Sequence, residues 1–281
     1  MSDIHVLAIR FADLWAVDPH QMVREIYAPD IQMESMARLA RDPIEGSEQL
    51  HALESGFLEM IPDHRHELVR VTAQGDVACL ETTIVAPRTN EYAPACVWWW
   101  MGERSQVVAE VGWFDWEART PEAARAHGLV PPLDRRSRGE REWYRELVTE
   151  LAEGWTQDPF AVLDRSFSPD CVFEHVGVSR CEGLEAARRA EEDLGPTLPT
   201  SERWIDVHEI VADGAVIAVL FTCGTTELVS RGTAVLTLGD DDRIMSARLY
   251  WDWSTAVRFD EVHVRGAQRT PIRRMTSTAS E

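Results

Sequence analysis

Apolar positions recur every three to four residues at the start of the chain and every second residue further on, and the same switch happens again in the second half. Ile4, Leu7, Phe11, Leu14 and Trp15 give residues 3–17 one apolar helical face. Asp18-Pro19 stops that helix and starts another, because proline disfavours helix in its predecessor yet is tolerated in a first turn. Met22, Val23, Ile26 and Tyr27 form the stripe of the second helix, which ends before Pro29, and Ile31 to Ser35 alternates as a short strand. Gly46-Ser47 opens a third helix with Leu50, Leu53, Phe57 and Met60 inward, closed by Pro62. Strands are predicted at 67–73, 77–86, 95–101 and 107–116, with turns at Gln74-Gly75-Asp76 and Gly102-Glu103.

The order restarts after a stretch containing Pro121, Gly128, Pro131, Pro132 and an arginine-rich run. Helices are predicted at 143–155, 159–167 and 184–194, a short strand at 171–176, and strands near 204–211, 216–226, 231–238 and 244–253. Trp15, Asp18 and Pro19 recur 140 positions later as Trp155, Asp158 and Pro159, and Tyr27, Pro29, Asp30, Met33 and Glu34 as Phe167, Pro169, Asp170, Phe173 and Glu174. Trp113-Phe114-Asp115-Trp116 returns as Tyr250-Trp251-Asp252-Trp253, at an offset of 137. A period of this size is that of a whole small domain. The chain therefore divides into a first domain at 1–118, a linker at 119–139, a second domain at 140–258 and a flexible tail at 259–281. The predicted class is α+β: two tandem cone-shaped domains, each with three helices packed on a curved antiparallel sheet that encloses a pocket.

Composition narrows the chemistry. A net charge of −20 argues against nucleic acid and anionic membrane surfaces as partners. Every cationic residue is arginine, which removes Schiff-base, pyridoxal-phosphate and P-loop lysine chemistry together. Cys79, Cys96, Cys171, Cys181 and Cys223 form no C-x-x-C pair, and no charged-then-apolar leader is seen, so a cytoplasmic protein with reduced thiols is expected. The longest apolar run, Ala215 to Phe221, is too short to span a bilayer. No glycine fingerprint for a nucleotide and no nucleophile elbow is present, so no cofactor is expected.

The order of elements, the Tyr27-Ala28-Pro29-Asp30 and Phe167-Ser168-Pro169-Asp170 turns and the terminal aromatic-Asp strand resemble the nuclear transport factor 2-like superfamily. Within it the likeness is to the SnoaL-like branch of polyketide cyclases, with ketosteroid isomerases and limonene-type epoxide hydrolases as relatives. The resemblance covers both halves. It implies a cone with a pocket at its mouth, and domains that pair through their sheets, here as an intramolecular pseudo-dimer or in a homodimer. In the isomerase and epoxide-opening relatives, the position after the shared glutamate carries a general-base aspartate; here it holds Ser35 and His175. The relatives also use a terminal-strand aspartate as acid or base, which implicates Asp252 and Asp115. The epoxide hydrolases' second aspartate and arginine are missing from Leu80-Glu81-Thr82-Thr83 and Leu220-Phe221-Thr222-Cys223, which disfavours that specific reaction.

Strand alternation selects the remaining candidates. His175 shares an apolar face with Cys171 and Phe173, and imidazole is a suitable base near pH 7. Arg248, Tyr250 and Asp252 share one face, so a guanidinium, a phenol and a carboxylate converge. The plain alternatives are a backbone-bonded histidine and solvated strand-end carboxylates, with Glu34 and Glu174 as contacts between the sheets. Trp98, Trp100, Trp113, Phe173 and Trp251 are the candidate aromatic wall for a flat ligand; for Trp98 and Trp100 the alternative is a sheet face buried by the other domain. Asp63-His64-Arg65-His66 has a metal-like pairing but no third ligand, and is expected in solvent. The expected function is a cofactor-independent acid/base enzyme, a cyclase, isomerase or dehydratase acting on an apolar polycyclic or polyketide-like molecule. The alternatives are a non-catalytic binder and an epoxide-opening protein of the same fold.

Overall fold

The computed structural model describes residues 3–36, 42–114, 141–176, 179–251 and 253–258. In the first half α1 (Asp3–Val17) and α2 (Pro19–Ile26) lead into β1 (Tyr27–Ser35) and β2 (Ile44–Glu45). Then follow α3 (Ser47–Met60), β3 (Arg65–Gln74), β4 (Val77–Ala86), β5 (Glu91–Met101) and β6 (Val107–Phe114). The second half repeats the series as α4 (Arg141–Gln157), α5 (Pro159–Ser166), β7 (Phe167–His175), β8 (Ser179–Glu182), α6 (Leu184–Leu194), β9 (Trp204–Asp213), β10 (Val216–Gly224), β11 (Leu228–Leu238) and β12 (Ile244–Tyr250). A short β13 (Val257–Arg258) pairs with β11.

The duplication extends to local chemistry. Asp18 and Asp158 cap the proline-headed helices α2 and α5, each carboxylate accepting the N–H three residues on, at 2.9 and 3.0 Å. Gly46 and Gly183, at φ 82° and 83°, bring the chain round into α3 and α6 in a conformation that side-chain-bearing residues resist. The strand orders β2-β1-β6-β5-β4-β3 and β8-β7-β12-β11-β10-β9 are the same. In each, β1 and β6, or β7 and β12, run parallel, so the predicted all-antiparallel sheet is mixed at that step. Two helices also end earlier than predicted: α2 and α5 give way to strand at Tyr27 and Phe167, with an irregular register across the proline turns. In α3 the buried positions are Leu50 and Glu54, while Met60, expected inward, is 70% exposed. The predicted linker, the predicted tail, Asp115 and Asp252 lie outside the described residues.

Each sheet has two covered faces. One carries the helices of its own domain, around Phe11, Met22, Ile26, Ile31, Leu80 and Trp99 in the first half and around Val148, Leu163, Phe167, Ile217 and Ile244 in the second. The other meets the sheet of the other domain in one apolar cluster that includes Cys79, Trp98, Val111 and Trp113 with Val216, Ala218, Val235 and Tyr250. Buried charges stitch this seam. Glu81 meets Arg70 at 3.3 Å and Arg248 at 2.7 Å, and accepts from the Tyr250 hydroxyl at 2.7 Å. Arg248 also reaches Glu174 at 3.2 Å, and Arg231 pairs with Glu34 at 2.8 Å. Trp98 Nε1 donates to Thr233 Oγ1 across the seam at 2.8 Å.

Candidate active site

Alternation groups Arg248 with Tyr250, as predicted, but the face they share is the seam. A pocket-facing Arg248 and Tyr250 is therefore corrected: both bond Glu81 of the other domain and are almost wholly buried there. Trp98 and Trp113 go with them, Trp113 meeting Tyr250 edge to face at 5.6 Å, and Trp100 packs against the same cluster. The physical reason is that alternation separates two faces without saying which is covered by what. His175 lies on the opposite side of its sheet from Arg248. Its Nε2 bonds the Trp251 carbonyl oxygen and its ring stacks on the Trp251 ring at 5.6 Å, while Phe173 packs on the core of the second domain. The sheet thus keeps His175 apart from Arg248 and Tyr250.

Inside the first cone the structure assembles polar groups that alternation and spacing had not singled out. Glu110 on β6 stands opposite Trp99 on β5, so both point into the helix-covered interior. Tyr27 donates to Glu110 Oε2 at 2.6 Å and Trp99 Nε1 donates to the same oxygen at 2.9 Å. From α3, Glu54 enters the same interior; it is 1% exposed and its Oε2 has no hydrogen-bond partner. Burial, reinforced by the charge of Glu110, pushes the Glu54 carboxyl up to about 8. Burial likewise raises Glu110 to about 7, against the two hydrogen bonds that favour its ionised form. Two neighbouring carboxyls are thereby brought to neutrality, one protonated at pH 7 and one poised there. The signal for Glu54 was present in the sequence: Leu50, Glu54 and Leu58 are spaced four apart, one stripe of a helix.

The mouth of this cone is built from Trp15, His64 and His66. Contrary to expectation, His64 and His66 are buried, each 4% exposed, because Trp15 reaches over them from α1. Trp15 stacks on the His66 ring at 3.9 Å and donates to His64 Nε2 at 2.6 Å. His64 Nδ1 in turn meets the Ile61 carbonyl at 2.6 Å, which fixes His64 as a neutral ring with its proton on Nδ1. Burial lowers the proton affinity of both imidazoles, His66 to about 3. Beside them opens a hollow of about 360 Å³ lined by Trp15, Leu58, Pro62, His64 and Pro87 among others. Leu58, which lines it, follows Glu54 by one helical turn on the same face of α3.

The second cone differs at these positions. Phe167 replaces Tyr27 at the start of its strand, and Ala247, opposite Leu236, stands where Glu110 faces Trp99. Glu191, the equivalent of Glu54, accepts from Trp155 Nε1 at 3.0 Å and from Arg203 at 2.6 Å. Among the described residues no group of three His, Cys, Asp or Glu is placed to hold a metal ion, and none of these helices is long and apolar enough to cross a membrane.

A duplicated, helix-covered cone with buried acid/base groups defines a tandem α+β pocket protein. The chain belongs to the SnoaL-like family: the SnoaL-like domain matches it twice, over residues 8–110 and 148–247. No curated protein matches it. Among solved structures it is similar to SalBIII, an epoxide hydrolase/cyclase-like enzyme in pyran ring formation in the polyether salinomycin, at 20% identity over 43% of this chain and 98% of that one, TM-score 0.37. A Mycobacterium tuberculosis LEH-like epoxide hydrolase is 24% identical over 42% of this chain and 86% of its own, TM-score 0.32. A SnoaL-like protein of unknown function from Burkholderia thailandensis is 20% identical over 40% and 95%, TM-score 0.35.

Proposed function

We propose that the chain is a cofactor-independent acid/base enzyme, a cyclase, isomerase or dehydratase acting on an apolar, polycyclic or polyketide-like small molecule, and that the first domain does the chemistry. The observation that carries this reading is the unpartnered carboxyl oxygen of Glu54 beside Glu110, one helical turn along α3 from Leu58, which lines a hollow of about 360 Å³ with Trp15 and His64. Protonated Glu54 donates to the substrate oxygen. Ionised Glu110, steadied by Tyr27 and Trp99, accepts the proton released from carbon. Carboxyls with proton affinities near the working pH suit this exchange, because each is in its required form over part of the neutral range. The acid/base work on apolar molecules that the family resemblance implies agrees with this assignment.

The rival acid/base pair is His175 with Asp252 in the second domain, and one assay separates the two. Deuterium wash-in at the carbon next to the carbonyl of 2-tetralone, followed by proton NMR, reads proton abstraction from an apolar bicyclic ketone. Glu54→Gln and Glu110→Gln each lower the rate about 100-fold or more with the circular dichroism spectrum unchanged, while His175→Gln and Asp252→Asn leave it within about twofold. Full exchange in Glu110→Gln, or its loss in Asp252→Asn, would overturn the assignment to the first domain. Binding of the ketone without any exchange would make the protein a binder.

A further inference from the structure

The repeat allows the two mouths to be compared position by position, and they differ in one basic residue. His64 and Arg203 each stand immediately before the first long strand, β3 or β9. Trp15 corresponds to Trp155, and Glu54 to Glu191, each the eighth residue after the glycine that starts its helix. In the first domain Trp15 bonds His64, and Glu54 Oε2 is left without a partner. In the second, Arg203 gathers every neighbour at once. Its guanidinium lies 4.0 Å over the Trp155 ring, and donates to Glu191 at 2.6 Å and to the Trp155 carbonyl at 3.3 Å. Its Nε and Nη2 both donate to the Leu198 carbonyl, at 3.1 and 2.6 Å.

Those last two bonds hold a strap. The segment between α6 and β9, residues 195–203, is five residues longer than its counterpart between α3 and β3, residues 61–64, and it turns Leu198 inward until the side chain is fully buried among Phe221, Cys223, Trp251 and Trp155. An isobutyl group is thereby enclosed by two indoles and a phenyl ring. We infer that the second domain contains a cryptic apolar binding site, occupied by its own Leu198 and latched by Arg203, and that the chain therefore presents one open cone and one closed one. The ligand class is a small aromatic or branched aliphatic molecule. A planar fork is needed for the latch: it spans a carbonyl, a carboxylate and an indole face together, which an imidazole cannot do.

Counting sites rests on the preceding reading of the first cone as the open one, so the test is arranged to separate the two. Titration calorimetry of the full chain with 2-naphthol is expected to give one bound equivalent in the native protein and two in Arg203→His. One equivalent in a folded Arg203→His overturns the latch while leaving the first site standing. None in the native chain but one in the variant upholds the latch and removes the first site. Should Arg203→His fail to fold, Arg203→Lys keeps the charge beside Glu191 and gives up the fork to Leu198. A second equivalent is expected there too, with amide exchange at Leu198 at least about tenfold faster, and a single equivalent with unchanged exchange overturns the inference.

Discussion

Replacing Glu54 by glutamine tests whether a carboxyl is held neutral inside the first cone. The folded chain holds the Glu54 proton up to about 8, against 4.5 for an unhindered glutamate. Because the folded-state value is raised, the stability it contributes is fully present below 4.5 and is lost as the pH climbs to about 8. A tenfold change in proton affinity is worth about 1.4 kcal/mol, so the loss amounts to on the order of 4–5 kcal/mol across that window. Glutamine has the same shape and never ionises. The difference in unfolding free energy between Glu54→Gln and the native chain should therefore rise steadily in favour of the variant from pH 5 to pH 8 and level off above. Urea unfolding at one-unit pH steps reads this, since groups that do not interact with Glu54 cancel in the difference, which leaves Glu54 and its neighbour Glu110. A difference that stays constant within about 1 kcal/mol over the range would mean that Glu54 ionises freely, and the acid proposed for catalysis would be gone.

Three further outcomes follow from the same geometry. The rate of proton exchange should be bell-shaped in pH, rising through about 7 as Glu110 ionises and falling through about 8 as Glu54 loses its proton; a plateau from pH 6 to 9 contradicts the pair. Glu81→Gln leaves Arg70 and Arg248 buried beside a neutral amide, and should cost about 3–5 kcal/mol in chemical unfolding; a cost below about 1 kcal/mol would show that the seam charges contribute little. Trp98→Phe deletes the bond to Thr233 and should cost about 1–2 kcal/mol without changing turnover, whereas abolished turnover would return Trp98 to the binding wall.

The repeat was readable because it is written in residues with few substitutes: the Asp-Pro pairs that cap and open a helix, and the glycines at positive φ before α3 and α6. Pairing of β1 with β6 was not, since parallel contacts between distant strands leave no local pattern. At the site, alternation put Arg248 and Tyr250 on one face, as the structure has them, but it was read as bringing them to the same pocket as His175, which the register of β7 with β12 places on the other side of the sheet. What it could not supply was the identity of the covering layer, which turned a presumed pocket wall into an interdomain seam. The His64 and His66 pair looked solvent-bound because proline and charge surround it. Only the fold brings Trp15, some fifty residues away, across it. Glu54 was hidden because the stripe of α3 was continued from Leu50 through Leu53 and Phe57 rather than through Glu54 and Leu58, a rotation of one position on the helix.

The central claim is that the first cone, not the second, receives the ligand. A crystal structure of the chain soaked with 2-naphthol answers it directly. The rings should lie in the hollow between Trp15, Leu58 and Pro87 with the hydroxyl within hydrogen-bonding reach of Glu54, and the second cone should hold Leu198 alone. Naphthol found against Trp251 and His175, with the first hollow empty, would contradict the account.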